Sequence, residues 1–395
     1  MGTDVISLII FAACIVLFVI DKLPMATTAI LGCVLLVVFG VCDFKTAFGQ
    51  MASSTVILTI GVMVIGAAIS ESGLAATVGR WIINVAKGSE TKLIIGTYIV
   101  SALMSAFLTN SAVLAVFIPI VMGLSMSGEV RGRNLIMPIA IGCVLGGTST
   151  LVGSTQQMTA QGLLEDASVR LFKTFDFTPI GGIIVMAGLV YCLTIGRVLA
   201  KKVWGDRPEN SDYETSSRAH EYKRSRMITV AVIFILTVVL YITEWLPLAV
   251  TSTSAALLCI ITSGITQKKA VAAVNWDIVG RLAGCLGIAK ALESAGGTKL
   301  ISESFERIVG SSIDPYLLFC ILVLLVQLTS QFISNSTAIM IVLPILLSIA
   351  PKIGLDPYPF ALGITIASGA ALSCPLASST LGMSTVSYTH LTLPT

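Results

Sequence analysis

The chain alternates between long apolar runs and short polar turns. Residues 5–20, 24–41 and 54–70 each approach the ~20 residues that a helix needs to cross ~30 Å of hydrocarbon. Leu23-Pro24 opens the second run, Glu71-Ser72-Gly73 closes the third, and residues 43–51 between them read as a short amphipathic connector. Residues 74–87 mix Arg80 and Lys87 with Trp81, Ile82 and Val85, which predicts a helix lying along the membrane interface. Residues 93–124 are 32 mostly apolar positions with Thr109-Asn110-Ser111 at mid-length. One span would be shorter, and a polar centre is costly in lipid, so a re-entrant hairpin over about 93–124 is expected. Residues 135–145 are apolar and give way to the Gly/Ser/Thr-rich stretch 146–157, which predicts a discontinuous helix over about 134–165. Residues 177–199 form the last span of a first half that ends near residue 200.

The second half repeats this pattern. After a span at 227–242, Leu246-Pro247 matches Leu23-Pro24, and residues 289–296 match 66–73, both at an offset of 223. The stretch 330–344 (SQFISNSTAIMIVLP) matches 105–119 (SAFLTNSAVLAVFIP) at an offset of 225, pairing Ser330 with Ser105, Asn335 with Asn110 and Pro344 with Pro119. A second hairpin is therefore expected at about 315–350. A second broken helix should follow from about 357, interrupted at 373–380. The domain organisation expected is a first repeat over 1–200, a linker over 201–226 and a second repeat over 227–385. The final ten residues, VSYTHLTLPT (386–395), read as adaptor-derived sequence, so the native second repeat is expected to continue beyond Thr385.

Composition fits a polytopic helical membrane protein: 395 residues, 55% hydrophobic, 11% charged, mean hydropathy +0.94. A net charge of +3 gives no footprint for nucleic acid. The nine cysteines lack CxxC spacing and sit mostly in apolar runs, as small buried residues do. His220 and His390 are the two histidines, and neither lies in an apolar run. The linker carries seven Lys/Arg and is assigned to the cytoplasm. Counting crossings from it makes the repeats inverted. Lys22, Arg80, Lys87, Lys92, Arg131, Arg133, Lys268 and Lys269 then all fall inside, although only the linker set the orientation.

A polar cluster occurring twice inside apolar sequence points to binding at a repeat interface. The bland alternative, that these Ser, Thr and Asn side chains only bridge helices, explains one cluster more easily than two with matching flanks. Gly146-Gly147 fit either close helix packing or the site, and Gln156 and Gln157 fit either solvent or ligand. No Arg or Lys lies within any of the four motifs, so cation and anion are expected to neutralise each other. A proton-linked cation antiporter would need an intramembrane carboxylate as proton carrier, and the predicted hairpins and breaks hold no Asp or Glu. The motifs of intramembrane enzymes are absent, and paired broken helices favour a moving carrier over a channel.

With two tips and two breaks in view, the chain resembles the divalent anion:sodium symporters, carriers of di- and tricarboxylates or sulfate. That family has Ser-Asn-Thr at two hairpin tips and Thr-Pro-Pro-type turns in two broken helices. Here the tips read Thr109-Asn110-Ser111 and Ser334-Asn335-Ser336, and both double-proline turns are replaced, by Ser154-Thr155-Gln156-Gln157 and Ser378-Ser379-Thr380-Leu381. The likeness runs nearly to Thr385. It implies an elevator-type homodimer in the bacterial inner membrane, lipid around it, Na⁺ as coupling ion and no other cofactor. One Na⁺ site is assigned to Ser105, Thr109, Asn110 and Gly153, the other to Ser330, Ile333, Asn335 and Ala377. The anion, such as succinate, malate, citrate or sulfate, is assigned to Thr109, Asn110, Ser111, Ser154, Ser334, Asn335, Ser336 and Ser378.

Overall fold

A computed structural model of the chain describes residues 2–20, 22–86, 89–126, 132–204, 224–300, 303, 314–351, 353–372, 378 and 380–385. The tail 386–395, Lys87, Arg131, Ala377, His220 and residues 205–223 of the linker lie outside them. Every regular element among the described residues is helical.

The first half runs through α1 (Thr3–Ile20), α2 (Met25–Val38), α3 (Phe44–Phe48) with a 3-10 turn at Gly49–Ala52, α4 (Ser54–Glu71) and α5 (Leu74–Ala86). Helices α6 (Glu90–Ser105) and α7 (Asn110–Met126) flank the first tip. Helices α8 (Arg133–Gly147) and α9 (Thr155–Asp166) flank the first break, and α10 (Thr178–Leu193) and α11 (Ile195–Trp204) follow. The second half runs through α12 (Arg224–Thr243), α13 (Leu248–Ile261), α14 (Gln267–Ala273), α15 (Trp276–Ser294), α16 (Pro315–Thr329), α17 (Asn335–Ile349) and α18 (Pro357–Gly369).

The repeat seen in the sequence is written into the backbone. Helices α2 and α13 have identical lengths at an offset of 223, each entered through a proline with φ −52°. Proline is tolerated there because the N–H it lacks has no helical acceptor. Gly73 and Gly296, again 223 apart, adopt φ +79° and +81° after α4 and α15, the left-handed position that ends many helices in glycine. The helices flanking the tips have 16, 17, 15 and 15 residues, or about 22–26 Å, short of a full crossing. Pro119 and Pro344 each stand at the tenth position of their helix.

The span expected at 177–199 is present as one apolar stretch, Thr178–Leu199, with an irregular turn at Thr194 (φ −110°, ψ −89°) between α10 and α11. The Thr194 hydroxyl donates back to the Val190 carbonyl at 2.6 Å, a competition that bends helices. At the connector, the N–H and hydroxyl of Thr46 donate to the Asp43 carboxylate and hold it below the usual carboxylate range.

The compact units cut across the two halves. One gathers Met1–Ile60, Thr155–Lys173 and Val274–Ala371; the other gathers Gly61–Ser154, Thr174–Ala273 and Leu372–Thr395. Each unit thus holds one tip. In the first unit Cys14, Cys33 and Cys285 are buried among Ile10, Phe18, Leu36, Ile288 and Met340. All three are free thiols acting as small apolar side chains. In the second unit Tyr98 is buried beside Ile141, Leu145 and Leu189, its hydroxyl donating to the Val185 carbonyl at 2.8 Å.

Four described helices are long and apolar enough to cross a membrane, and shorter apolar helices accompany them. Ile183, Met186 and Val190 on α10, and Val232, Ile235 and Ile242 on α12, are exposed. Such apolar faces suit lipid. Trp81 and Trp245 are exposed as well, as expected for anchors at the headgroup level.

Candidate functional site

The first tip is built where α6 stops at Ser105 and α7 starts at Asn110. Residue Asn110 heads its helix, where backbone N–H groups lack helical acceptors. The buried Ser105 hydroxyl donates to Asn110 Oδ1 at 2.7 Å. Asn110 Nδ2 reaches toward Ser154 Oγ at 3.5 Å, the outer limit for a hydrogen bond. The Thr150 hydroxyl donates to the Ala106 carbonyl and so ties the helix break to the tip. The Thr109 carbonyl accepts from the N–H groups of Ala112 (3.0 Å) and Val113 (3.2 Å), and Ser111 is the half-buried second residue of α7.

Two glycines explain how the break approaches this tip. A Cβ on Gly147 would collide with Asn110 Oδ1 and come within 2.5 Å of Ser154 Oγ. A Cβ on Gly153 would lie 2.6 Å from the Gly147 carbonyl oxygen, 2.8 Å from that of Ser105 and 3.0 Å from that of Ala106. Three carbonyl oxygens from two chain segments therefore crowd one small volume. Neutral oxygens in that density suit a hard cation rather than a transition metal. Of the residues assigned from sequence, the structure brings Ser105, Asn110, Gly153 and Ser154 together here. Gly146 serves close packing: a Cβ there would run into the backbone of Ala102.

The second tip has the same sequence frame and different bonding. Ser334 caps α17, accepting from the Thr337 N–H at 3.3 Å and sharing a hydrogen with the Thr337 hydroxyl at 2.7 Å. Ser336 donates to Thr155 Oγ1 at 2.9 Å. The Asn335 Oδ1 is buried and has no hydrogen-bond partner among the described residues. Ser330, the counterpart of Ser105, donates instead to the Gln327 carbonyl at 3.1 Å. Ile333 is buried. Ser378 is half-buried and accepts the Gly382 N–H at 3.0 Å, within the other unit.

The expectation of tips without basic side chains needs a correction at the second one. Arg281, the sixth residue of α15, donates from Nη1 to Ser334 Oγ at 3.2 Å and to the Met25 sulfur at 3.1 Å. It lies 53 residues from the tip in sequence and only folding brings it there. A signal existed nonetheless: Arg281 is the only charge between Asp277 and Lys290 of α15, and its counterpart 223 residues earlier is Leu58. Thr155 and Thr150 were also missed. Gln156 and Gln157, which sequence left open to solvent, are buried.

Just past the broken helix lies an ionic cluster in the first unit. Asp166 accepts from Gln50 Nε2 at 2.7 Å, and Lys290 donates to the Asp166 backbone carbonyl at 3.0 Å and to Glu293 at 3.1 Å. Ser54 donates to Glu165 at 2.6 Å. Burial pushes the Asp166 carboxyl up to about 7, with Glu165 and Glu293 adding to the rise and Lys290 and Gln50 opposing it. At the ends of α4 and α15, Glu71 pairs with Lys269 and Glu293 with Lys290, so both serve ion pairs rather than caps.

A family model described as "Citrate transporter" matches residues 15–367. Among curated proteins, the uncharacterized transporter sll0640 of Synechocystis is 29% identical over 49% of this chain and 31% of its own length. The uncharacterized transporter YfbS of Escherichia coli is 27% identical over 47% of this chain and 30% of its own, so the chain spans under a third of either relative. The sodium-dependent dicarboxylate transporter SdcS of Staphylococcus saprophyticus is 22% identical over 91% of this chain and 75% of its own length. In three dimensions the chain is similar to the Alcanivorax borkumensis YdaH transporter, with a TM-score of 0.66 at 12% identity, covering 88% of this chain and 81% of that one. At such identity the likeness speaks for the fold, that of a helical membrane transporter. The apolar helices and bacterial relatives make this an integral protein of the bacterial inner membrane. The resemblance read from the tips is thereby borne out, and the chain belongs to the citrate transporter family.

Proposed function

We propose that this protein is a Na⁺-coupled secondary transporter of a small di- or tricarboxylate. The observation that carries the reading is the packing of Ser105, Gly147 and Gly153 around Asn110, which gathers neutral oxygens at a helix N-terminus without a carboxylate. Such a site binds a hard cation by its oxygens and an anion by the N–H groups of the helix start. The family match and the sodium-dependent dicarboxylate transporters among the relatives support carboxylate as the anion and Na⁺ as the coupling ion. Asn110 and Asn335 then touch cation and anion alike, so each ion raises the affinity for the other. The two halves act as inverted repeats of an elevator, assembled as a homodimer.

A proton-linked cycle is the second reading, favoured by Asp166, whose carboxyl titrates near neutrality beside the broken helix. One experiment separates the two. Purified protein in proteoliposomes is offered radiolabelled succinate and citrate under an inward Na⁺ gradient, then under an inward proton gradient in choline. Concentrative uptake that needs Na⁺ supports the first reading. Uptake driven by protons alone replaces it with the second, and equilibration without accumulation under either gradient sinks both.

A further inference from the structure

Arg281 is a charged side chain at the second tip that neither the repeat nor the tip motif explains. Between Asp277 and Lys290 it is the only charge on α15, and a charge in an apolar stretch is retained where it faces a binding cavity or a partner. Arg281 makes no ion pair among the described residues. The nearest acid on its own helix is Asp277, one turn earlier, and that carboxylate accepts the Ala26 N–H at 3.3 Å. The guanidinium is instead held by neutral groups. Ser334 Oγ takes one Nη1 hydrogen bond, and the Met25 sulfur, which also receives the Thr337 hydroxyl at 3.7 Å, takes another.

This bonding leaves a defined remainder. Ser334 already accepts the Thr337 N–H and exchanges a hydrogen with the Thr337 hydroxyl, so its bonding capacity is full. Both protein bonds of Arg281 leave from Nη1, so the edge formed by Nε and Nη2 has no acceptor among the described residues. Two parallel N–H groups on one guanidinium edge match the two oxygens of a carboxylate. The residue following Ser334 is Asn335, with its unsatisfied buried carbonyl oxygen. A positive fork and an acceptor oxygen thus stand together at one helix start.

We infer that Arg281 is a specificity-determining residue that receives one carboxylate of the transported anion at the second tip. This rests on the transport reading above. Ser334 and Met25 fix the plane of the guanidinium, and the free edge takes the carboxylate bidentately. Among the described residues the first tip has no such charge, so the two tips are chemically unequal: one carboxylate of a dianion meets Arg281, and the rest of the molecule meets neutral groups. A ligand with a single carboxylate loses the advantage of being held at two places, which favours dianions over monoanions.

The test compares succinate with its monomethyl ester in proteoliposomes holding the wild-type protein, Arg281→Leu or Arg281→Lys. Thermal unfolding in detergent reports on folding. Leu is the residue that the first half carries at the matching position. Arg281→Leu is expected to raise the KM for succinate at least tenfold and that for the ester less than threefold. Arg281→Lys, which keeps the charge without the fork, should fall between Leu and wild type. A role confined to anchoring the tip would lower Vmax for both compounds equally. That pattern, or a succinate KM within twofold of wild type in folded Arg281→Leu, overturns the inference. If Arg281→Leu does not fold, equal changes for succinate and ester in Arg281→Lys overturn it alike. Wild-type protein that transports neither compound overturns the transport reading, and the recognition role with it.

Discussion

Gly147→Ala places one methyl group where the first tip has no room. The new Cβ would overlap Asn110 Oδ1 and sit 2.5 Å from Ser154 Oγ. The Asn110 side chain is the end that can move, and moving it gives up the 2.7 Å bond from Ser105. Loss of that bond costs about 0.5–1.5 kcal/mol, and forced repacking of a tight site costs about 1–3 kcal/mol. Alanine is the better helix former by about 0.5–1 kcal/mol, so part of the folding penalty at the end of α8 is offset. Cation binding has no such compensation, because the site proposed above makes the displaced oxygen one of its ligands. A loss of about 2 kcal/mol there is about a 30-fold loss of Na⁺ affinity. The measurement is the Na⁺ concentration giving half-maximal uptake in proteoliposomes, beside Gly182→Ala in α10, where an added Cβ meets nothing within 4 Å. Gly182→Ala should stay within about twofold of wild type. If folded Gly147→Ala needs no more Na⁺ than wild type, Asn110 is not a cation ligand and the site reading fails.

Other consequences follow from the unequal tips and the ionic cluster. Asn335→Ala removes a buried oxygen without a partner, which costs about 1–3 kcal/mol in the native protein, so its thermal midpoint should be equal to or above wild type while Na⁺-dependent uptake is lost. Asn110→Ala removes two hydrogen bonds and should lower both; an equal drop in midpoint for the two variants would refute the assignment. Asp166 has a folded-state value of about 7, above its unfolded value of 3.8, so the native protein keeps this proton to higher pH than the unfolded chain. Its contribution to stability is greatest below pH 4 and is lost as the pH rises through 7. Discounted for solvent around a partly exposed group, the effect is about 1–2 kcal/mol. The midpoint should fall between pH 5 and 8 in wild type and less so in Asp166→Asn; parallel curves would remove Asp166 as the cause.

Sequence alone determined the parts that depend on length and local chemistry. Apolar runs of fixed length become helices because a membrane leaves backbone groups no other partner. Pro24 and Pro247 open α2 and α13, and Gly73 and Gly296 follow α4 and α15, because ring closure and a missing Cβ act within a single residue. The tip asparagines were legible as the centre of each hairpin, because a polar residue at mid-length of an apolar run needs a partner in lipid. Tertiary structure decided who meets whom. Ser105 and Ser330 hold the same place in the repeat, yet one bonds Asn110 and the other the Gln327 carbonyl of its own helix, and it is at the first tip that Gly147 and Ser154 of the break close on the asparagine. The interleaving of the two units was equally hidden, since each half gives helices to both. Arg281 stands in the sequence as the only charge between Asp277 and Lys290. Only the packing of α15 against the second tip turns it into a fork beside Ser334, because side-chain hydrogen bonds between helices are set by positions in space and not by spacing along the chain.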